Sequence, residues 1–140
     1  MKYTIKEENG QVEIWVGHRI EARLSADSPL YIMAAKMAEK HSERPQLVER
    51  IWKASVYVNA GSVNPPARKA WVGEWSRPGF ADIGGYLLYE DGNLMACECS
   101  DFQRNQAPYL PGKAQRLCSH IIAHLICGKL EAVTAERVGV

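Results

Sequence analysis

The most specific chemistry in this sequence lies in two tight pairs, Cys97-Glu98-Cys99 and, eighteen residues later, Cys118-Ser119-His120. Three soft thiolates and one imidazole make a Cys3His set, the donor combination of tetrahedral Zn2+ with Zn–S bonds of about 2.3 Å. A Cys-x-Cys pair at the end of a hairpin puts both sulfurs on one side when the backbone between them turns like a knuckle. A Cys-x-His pair at a helix start converges because its first residue still sits at the non-helical cap. Cys97, Cys99, Cys118 and His120 would together close one site and fasten a hairpin to a helix. Four protein ligands leave no position open for water, so the reading is one structural Zn2+ and no enzyme. The His-Glu-x-x-His and zinc-deaminase patterns are absent, as are a Gly-rich phosphate loop and a Gly-x-Ser-x-Gly elbow.

The remaining cysteine and histidines read differently. Cys127 falls on the apolar side of the same helix, about two turns beyond His120, where a small buried hydrophobe is the simpler role. His124 follows His120 by four residues on one helical face and is a substitute ligand by position, but is read as a packing or supporting residue. His18 and His41 have no sequence partner and read as surface residues. A more distant reading makes Cys97 and Cys99 a redox pair, which requires an unmetallated thiol of depressed pKa.

Two structured regions must position these pairs, and together they make an α+β protein. Residues 3 to 16 alternate around Asn9-Gly10, a dipeptide able to supply both positive φ angles of a type I′ turn. That hairpin pairs Ile5 with Ile14 and Tyr3 with Val16, and sets Lys6 against Glu13. Ser28-Pro29 reads as an N-cap and first helical residue, with Leu30, Met33, Ala34, Met37 and Ala38 at helical spacing to about His41. A second amphipathic helix starts at Pro45 and closes at Gly61, its stripe of Leu47, Val48, Ile51, Trp52, Ser55 and Val58 read as core. Residues 62 to 69, with two adjacent prolines, read as a loop and the internal boundary. Strands are expected at Ala70–Trp75, Gly85–Glu90 and Asn93–Cys97, the last two joined by an Asp91-Gly92 turn, and the final helix at Cys118 to about Gly128. The organisation is therefore 1–61 hairpin and two helices, 62–131 zinc-binding module with a small antiparallel sheet, and 132–140 a loosely held tail.

The residues around the ligands, Cys97-x-Cys99-x-Asp101-Phe102 and Cys118-x-His120-Ile121-Ile122-Ala123, form a pattern that resembles the SWIM-type zinc finger, defined by Cys-x-Cys, a variable spacer and Cys-x-His. Trp71-Val72-Gly73 and Gly85-Tyr86-Leu87 stand where SWIM proteins commonly carry strands with a Trp and a Tyr. Arg50-Ile51-Trp52-Lys53 and Gly61-Ser62-Val63 are similar to segments that precede bacterial SWIM modules. The likeness spans roughly residues 47 to 128 and is strongest at 97 to 124. Ser119, where a lysine is frequent, and the long spacer depart from it. The resemblance implies a module that binds DNA or proteins, of the kind found in chromatin remodellers, transposase-like proteins and bacterial helicase-associated proteins.

The spacer itself, Phe102 to Ser119, carries Arg104, Lys113 and Arg116 with no acid, and Tyr109 between Pro108 and Pro111. A cationic loop with an aromatic suits phosphate contact and base stacking, although a solvated surface loop reads equally well. The chain as a whole has 140 residues, 46% hydrophobic and 24% charged, with a formal charge of +1, which excludes default disorder and a protein that lives by bulk phosphate neutralisation. Its first 60 residues hold nine basic and eight acidic side chains, no electrostatic argument for DNA. Partners are therefore nucleic acid, DNA before RNA, for an adaptor of prokaryotic or mobile-element type; the alternative is a protein complex contacted by an interaction module. With no apolar leader or span in the sequence, the expected location is cytoplasmic, or nuclear in a eukaryote.

Overall fold

The computed structural model describes the backbone of residues 3–137 and the side chains of residues 3–131. The first strands, β1 (Tyr3–Glu8), β2 (Gln11–Val16) and β3 (Arg19–Ser25), form an antiparallel meander. Tyr3 pairs with Val16, Ile5 with Ile14 and Lys6 with Glu13, the register that the alternation dictates. Asn9 (φ 53°) and Gly10 (φ 77°) both take positive φ, as a type I′ turn requires. β3 was not anticipated, although Ile20, Ala22 and Leu24 alternate with Arg19, Glu21 and Arg23. It returns through a Gly17-His18 turn and buries Ala22 and Leu24 beside Val12 and Ile14.

Helix α1 (Pro29–Lys40) starts where expected, with Ser28 Oγ accepting the Tyr31 N–H at 3.2 Å and Pro29 in the first turn. Helix α2 (Pro45–Asn59) buries Leu47, Ile51, Trp52, Ala54 and Ser55, and Gly61 follows it at φ 69°. The stretch expected as a loop, 62–69, contains β4 (Val63–Asn64), paired with Ile83 and Asp82.

Downstream, the single expected strand Ala70–Trp75 is instead a hairpin, β5 (Ala70–Val72) and β6 (Trp75–Arg77), because Gly73 at φ 61° reverses the chain. Strand β7 (Gly79–Ile83) was also not anticipated; it sits between β4 and β8 (Tyr86–Asp91), and β9 (Leu94–Cys97) completes the order β4-β7-β8-β9. The β8–β9 turn lies one residue later than expected. Asp91 pairs with Leu94, leaving Gly92-Asn93 as the loop, and only Gly92 takes positive φ. A helical turn, α3 (Ser100–Gln103), follows β9, and α4 (Ser119–Arg137) ends the described chain.

Gly128 does not end α4, because it stays out of the left-handed region that a glycine stop uses. The tail expected from Ala132 is helical through Arg137, and residues 138–140 lie outside the described residues. α2 packs against β1 and β3 on one side and α4 on the other, while α4 lies on β4, β7, β8 and β9. One apolar cluster runs through these layers, from Val12 and Ile14 through Leu47 and Ile51 to Leu88, Ile121, Ile122 and Ile126. Cys97, Cys99 and Cys118 belong to it.

Candidate metal centre

Cys97 ends β9, Cys99 is the N-cap of α3, Cys118 precedes α4, and His120 lies in the first turn of α4. The knuckle forms as the Cys99 N–H turns back to within 3.5 Å of Cys97 Sγ while Cys99 itself stays extended (φ −67°, ψ 155°). Cys118 acts as a cap, its carbonyl accepting the Ile122 N–H at 3.1 Å. The structure brings Cys97, Cys99, Cys118 and His120 together with their ligand atoms within 4.8 Å of one another, all four buried. His120 Nδ1 stands 3.6 Å from Cys97 Sγ and 3.9 Å from Cys118 Sγ. A tetrahedral Zn2+ with ordinary bond lengths separates its sulfur and nitrogen ligands by roughly 3.5 Å, so the spacing fits the ion.

Electrostatics point the same way. Hydrogen bonds from Cys118 and Cys97 hold the Cys99 thiol far below its usual range. The same contacts and burial drive Cys97 far above it. Cys118 gains from its bond with Cys97, but the bond to Cys99 and burial outweigh this and push it up to about 12. Three thiols buried against one another resist ionising together. A divalent cation at their centre would let all three ionise and would cross-link the elements that carry them.

Three residues that sequence reasoning missed hold the centre in place. Tyr57, on α2, has its hydroxyl 3.3 Å from His120 Nε2, and its ring and that of Tyr86 flank the imidazole at centroid distances of 5.1 and 4.6 Å. Arg50, about two turns earlier on α2, forks onto Asp101 at 2.9 and 2.7 Å, two residues past Cys99. Its guanidinium also donates to the Gln46 and Gln106 carbonyls. Glu98, between the first two ligands, is only 8% exposed at its side chain; its carboxylate accepts the Trp71 N–H (2.9 Å), the Leu87 N–H (3.0 Å) and the Arg68 guanidinium. Burial raises its pKa, but Arg68 and the two N–H groups outweigh this and lower it. The knuckle is thereby tied to β5 and β8.

The spacer is more ordered than its composition implies. Leu110 N–H donates to the Gln115 carbonyl and Leu117 N–H to that of Pro108, and the Gln115 amide pairs with both backbone groups of Met95 on β9. Arg116 is turned inward: it donates to the carbonyls of Asn105 (3.2 Å) and Ala107 (2.8 Å) and to Tyr109 Oη (2.8 Å), and lies 4.1 Å over the Tyr109 ring. One face of Tyr109 is thus occupied, although the residue is 50% exposed. Arg104 and Lys113 are exposed, and their side chains have no partner among the described residues.

His124 packs edge-on against Phe80 at 5.1 Å, and half-buried Cys127 has its sulfur 3.9 Å from a Glu131 carboxylate oxygen; neither joins the cluster. His18 is exposed in the β2–β3 turn, and His41 is half-buried at the end of α1. Among the described residues no helix is long and apolar enough to cross a membrane. In comparisons with known proteins, the chain matches no protein-family model, no curated protein and no solved structure.

Proposed function

We propose that this protein is a small non-enzymatic zinc-binding adaptor, its ligand pairs used as in a SWIM-type finger, that presents the spacer loop to nucleic acid in a reducing compartment such as the cytoplasm. The convergence of three thiols and an imidazole in one buried site carries the reading. The four donors would saturate a tetrahedral zinc, whose role is then to hold β9, α3 and α4 in register. With both ends fixed, the loop offers the unpartnered cations Arg104 and Lys113 together with the half-exposed Tyr109. Arg116 contributes charge, while its donors brace the loop.

The test is a salt titration of binding to matched single-stranded and duplex oligonucleotides. Replacing Arg104 and Lys113 with alanine should weaken binding across all sequences and flatten the slope of log K against log salt by about 0.7 to 0.9 per lost phosphate contact. Equal and weak binding by both proteins at every salt concentration would end the nucleic-acid reading.

A second reading, a protein-interaction module, is favoured by the β5–β6 hairpin, where Trp71 is 63% and Trp75 75% exposed. Exposed tryptophans are over-represented among residues that dominate protein interfaces. A pull-down with and without nuclease separates the two readings: nuclease-resistant capture, lost on Trp75→Ala, favours the module.

A further inference from the structure

We propose that His120 takes the metal through Nδ1 and that Tyr57, on α2, is the positioning residue that holds it in that state; this rests on the zinc reading above. The two ring nitrogens face different chemistry. Nδ1 looks into the thiol cluster, 3.6 Å from Cys97 Sγ and 3.9 Å from Cys118 Sγ, whereas Nε2 looks away from it to the Tyr57 hydroxyl at 3.3 Å. A neutral imidazole has one proton. Placed on Nε2, it is donated to Tyr57 Oη and leaves the Nδ1 lone pair for the metal; placed on Nδ1, it blocks coordination altogether. The proton balance follows: on metal binding the thiols that are still protonated release their protons to solvent and the imidazole keeps its one on Nε2.

The local backbone has the same logic. His120 follows Cys118 by two residues in the first turn of α4, so the ring nitrogen nearer the main chain is the one that reaches the sulfurs. The rings of Tyr57 and Tyr86 pack against the imidazole at tilts of 42° and 36°. Tyr57 in turn has a seat prepared for it. Gly84 occupies the β7–β8 turn at φ 59°, and a Cβ there would stand 2.5 Å from Tyr57 Cε1. A turn that admits only glycine therefore leaves the space the tyrosine ring fills. A residue 63 positions before the ligand orients it, and does so from the helix that carries the N-terminal sheet. Metal occupancy and the seating of α2 are linked through this contact, beside the Arg50–Asp101 pair.

Two measurements test this on the full chain. In the zinc-loaded protein, long-range 1H–15N correlation spectra of the histidines should show His120 protonated at Nε2 with a metal-bound Nδ1, and 113Cd in place of zinc should couple to Nδ1. Tyr57→Phe keeps the ring under Gly84 and removes only the hydroxyl. It should weaken zinc affinity, read by chelator competition, by roughly 10- to 100-fold, as losing a hydrogen bond to a ligating histidine does. It should also shift the His120 Nε2 resonance. Tyr31→Phe, whose hydroxyl has no partner among the described residues, should leave both readouts unchanged. A metal-bound Nε2, or a Tyr57→Phe protein with wild-type affinity and spectrum, overturns the proposal while leaving the zinc reading intact. A wild-type chain that takes up no zinc overturns both.

Discussion

The chemistry of a single side chain decides how much of the site could be read in advance. The convergence of Cys97, Cys99, Cys118 and His120 was legible because metal ligation demands rare residue types at short spacing, and both are written locally in the sequence. Tyr57, Arg50 and Glu98 were not, since their roles depend on partners brought together by the fold: Arg50 meets Asp101 across 51 positions. Arg116 shows the converse. Its charge suggested a phosphate contact, but its donors point inward to the loop's own carbonyls. Replacing Cys99 or Cys118 with alanine should abolish metal binding and solubility. Cys127→Ala, half-buried and outside the cluster, should retain full metal at a cost of about 1 kcal/mol or less, checked by metal content and denaturant unfolding. Tyr3 supplies a pH test of the N-terminal sheet. Burial and the nearby Glu21 raise its hydroxyl from 10.0 to about 12, so the folded state favours the protonated phenol. That contribution is present below pH 10 and is lost as pH climbs toward 12. The stability difference between wild type and Tyr3→Phe should therefore shift against wild type over that window, and a pH-independent difference would refute the assignment.

Elements were legible where one residue type forces one conformation. Asn9-Gly10 set the first turn and Ser28-Pro29 the start of α1, because positive φ and a capped first turn admit few alternatives. Short strands were harder. β3 carries a weak alternation, and β7 contains Gly79 and Asp82, residues that turns also use, so its strand character comes from pairing with β4 and β8 rather than from its own composition. Gly128 misled in the opposite sense: glycine permits a helix stop but does not compel one, and packing carries α4 past it. Two glycines accordingly behave oppositely. A methyl group at Gly128 meets nothing within 4 Å, so Gly128→Ala should stabilise the protein by about 0.5–1 kcal/mol in urea unfolding. Gly84→Ala meets both a positive φ and the Tyr57 ring, and should destabilise the fold and weaken metal binding together.

At the scale of the whole molecule, the candidate metal site lies where two groups of elements meet. The three cysteines and His120 come from β9, α3 and the start of α4, while α2, which carries the N-terminal sheet, supplies Tyr57 and Arg50 around them. The apolar cluster is continuous across the same layers. Stripping the metal with a chelator should therefore lower the unfolding midpoint of the entire chain in one transition, seen alike by tryptophan fluorescence and far-ultraviolet circular dichroism. Two separated transitions, with the N-terminal sheet and α1 indifferent to chelation, would mean that α2 does not transmit occupancy. The exposed hairpin of Trp71 and Trp75 and the braced loop with Arg104 and Lys113 are the surfaces such a clasp would hold in position. The most direct test of the account is metal content per folded chain, measured by elemental analysis on protein purified without added metal or chelator. About one zinc per wild-type or Cys127→Ala chain is expected; a folded wild-type chain free of zinc that takes none up on addition would contradict the metal assignment.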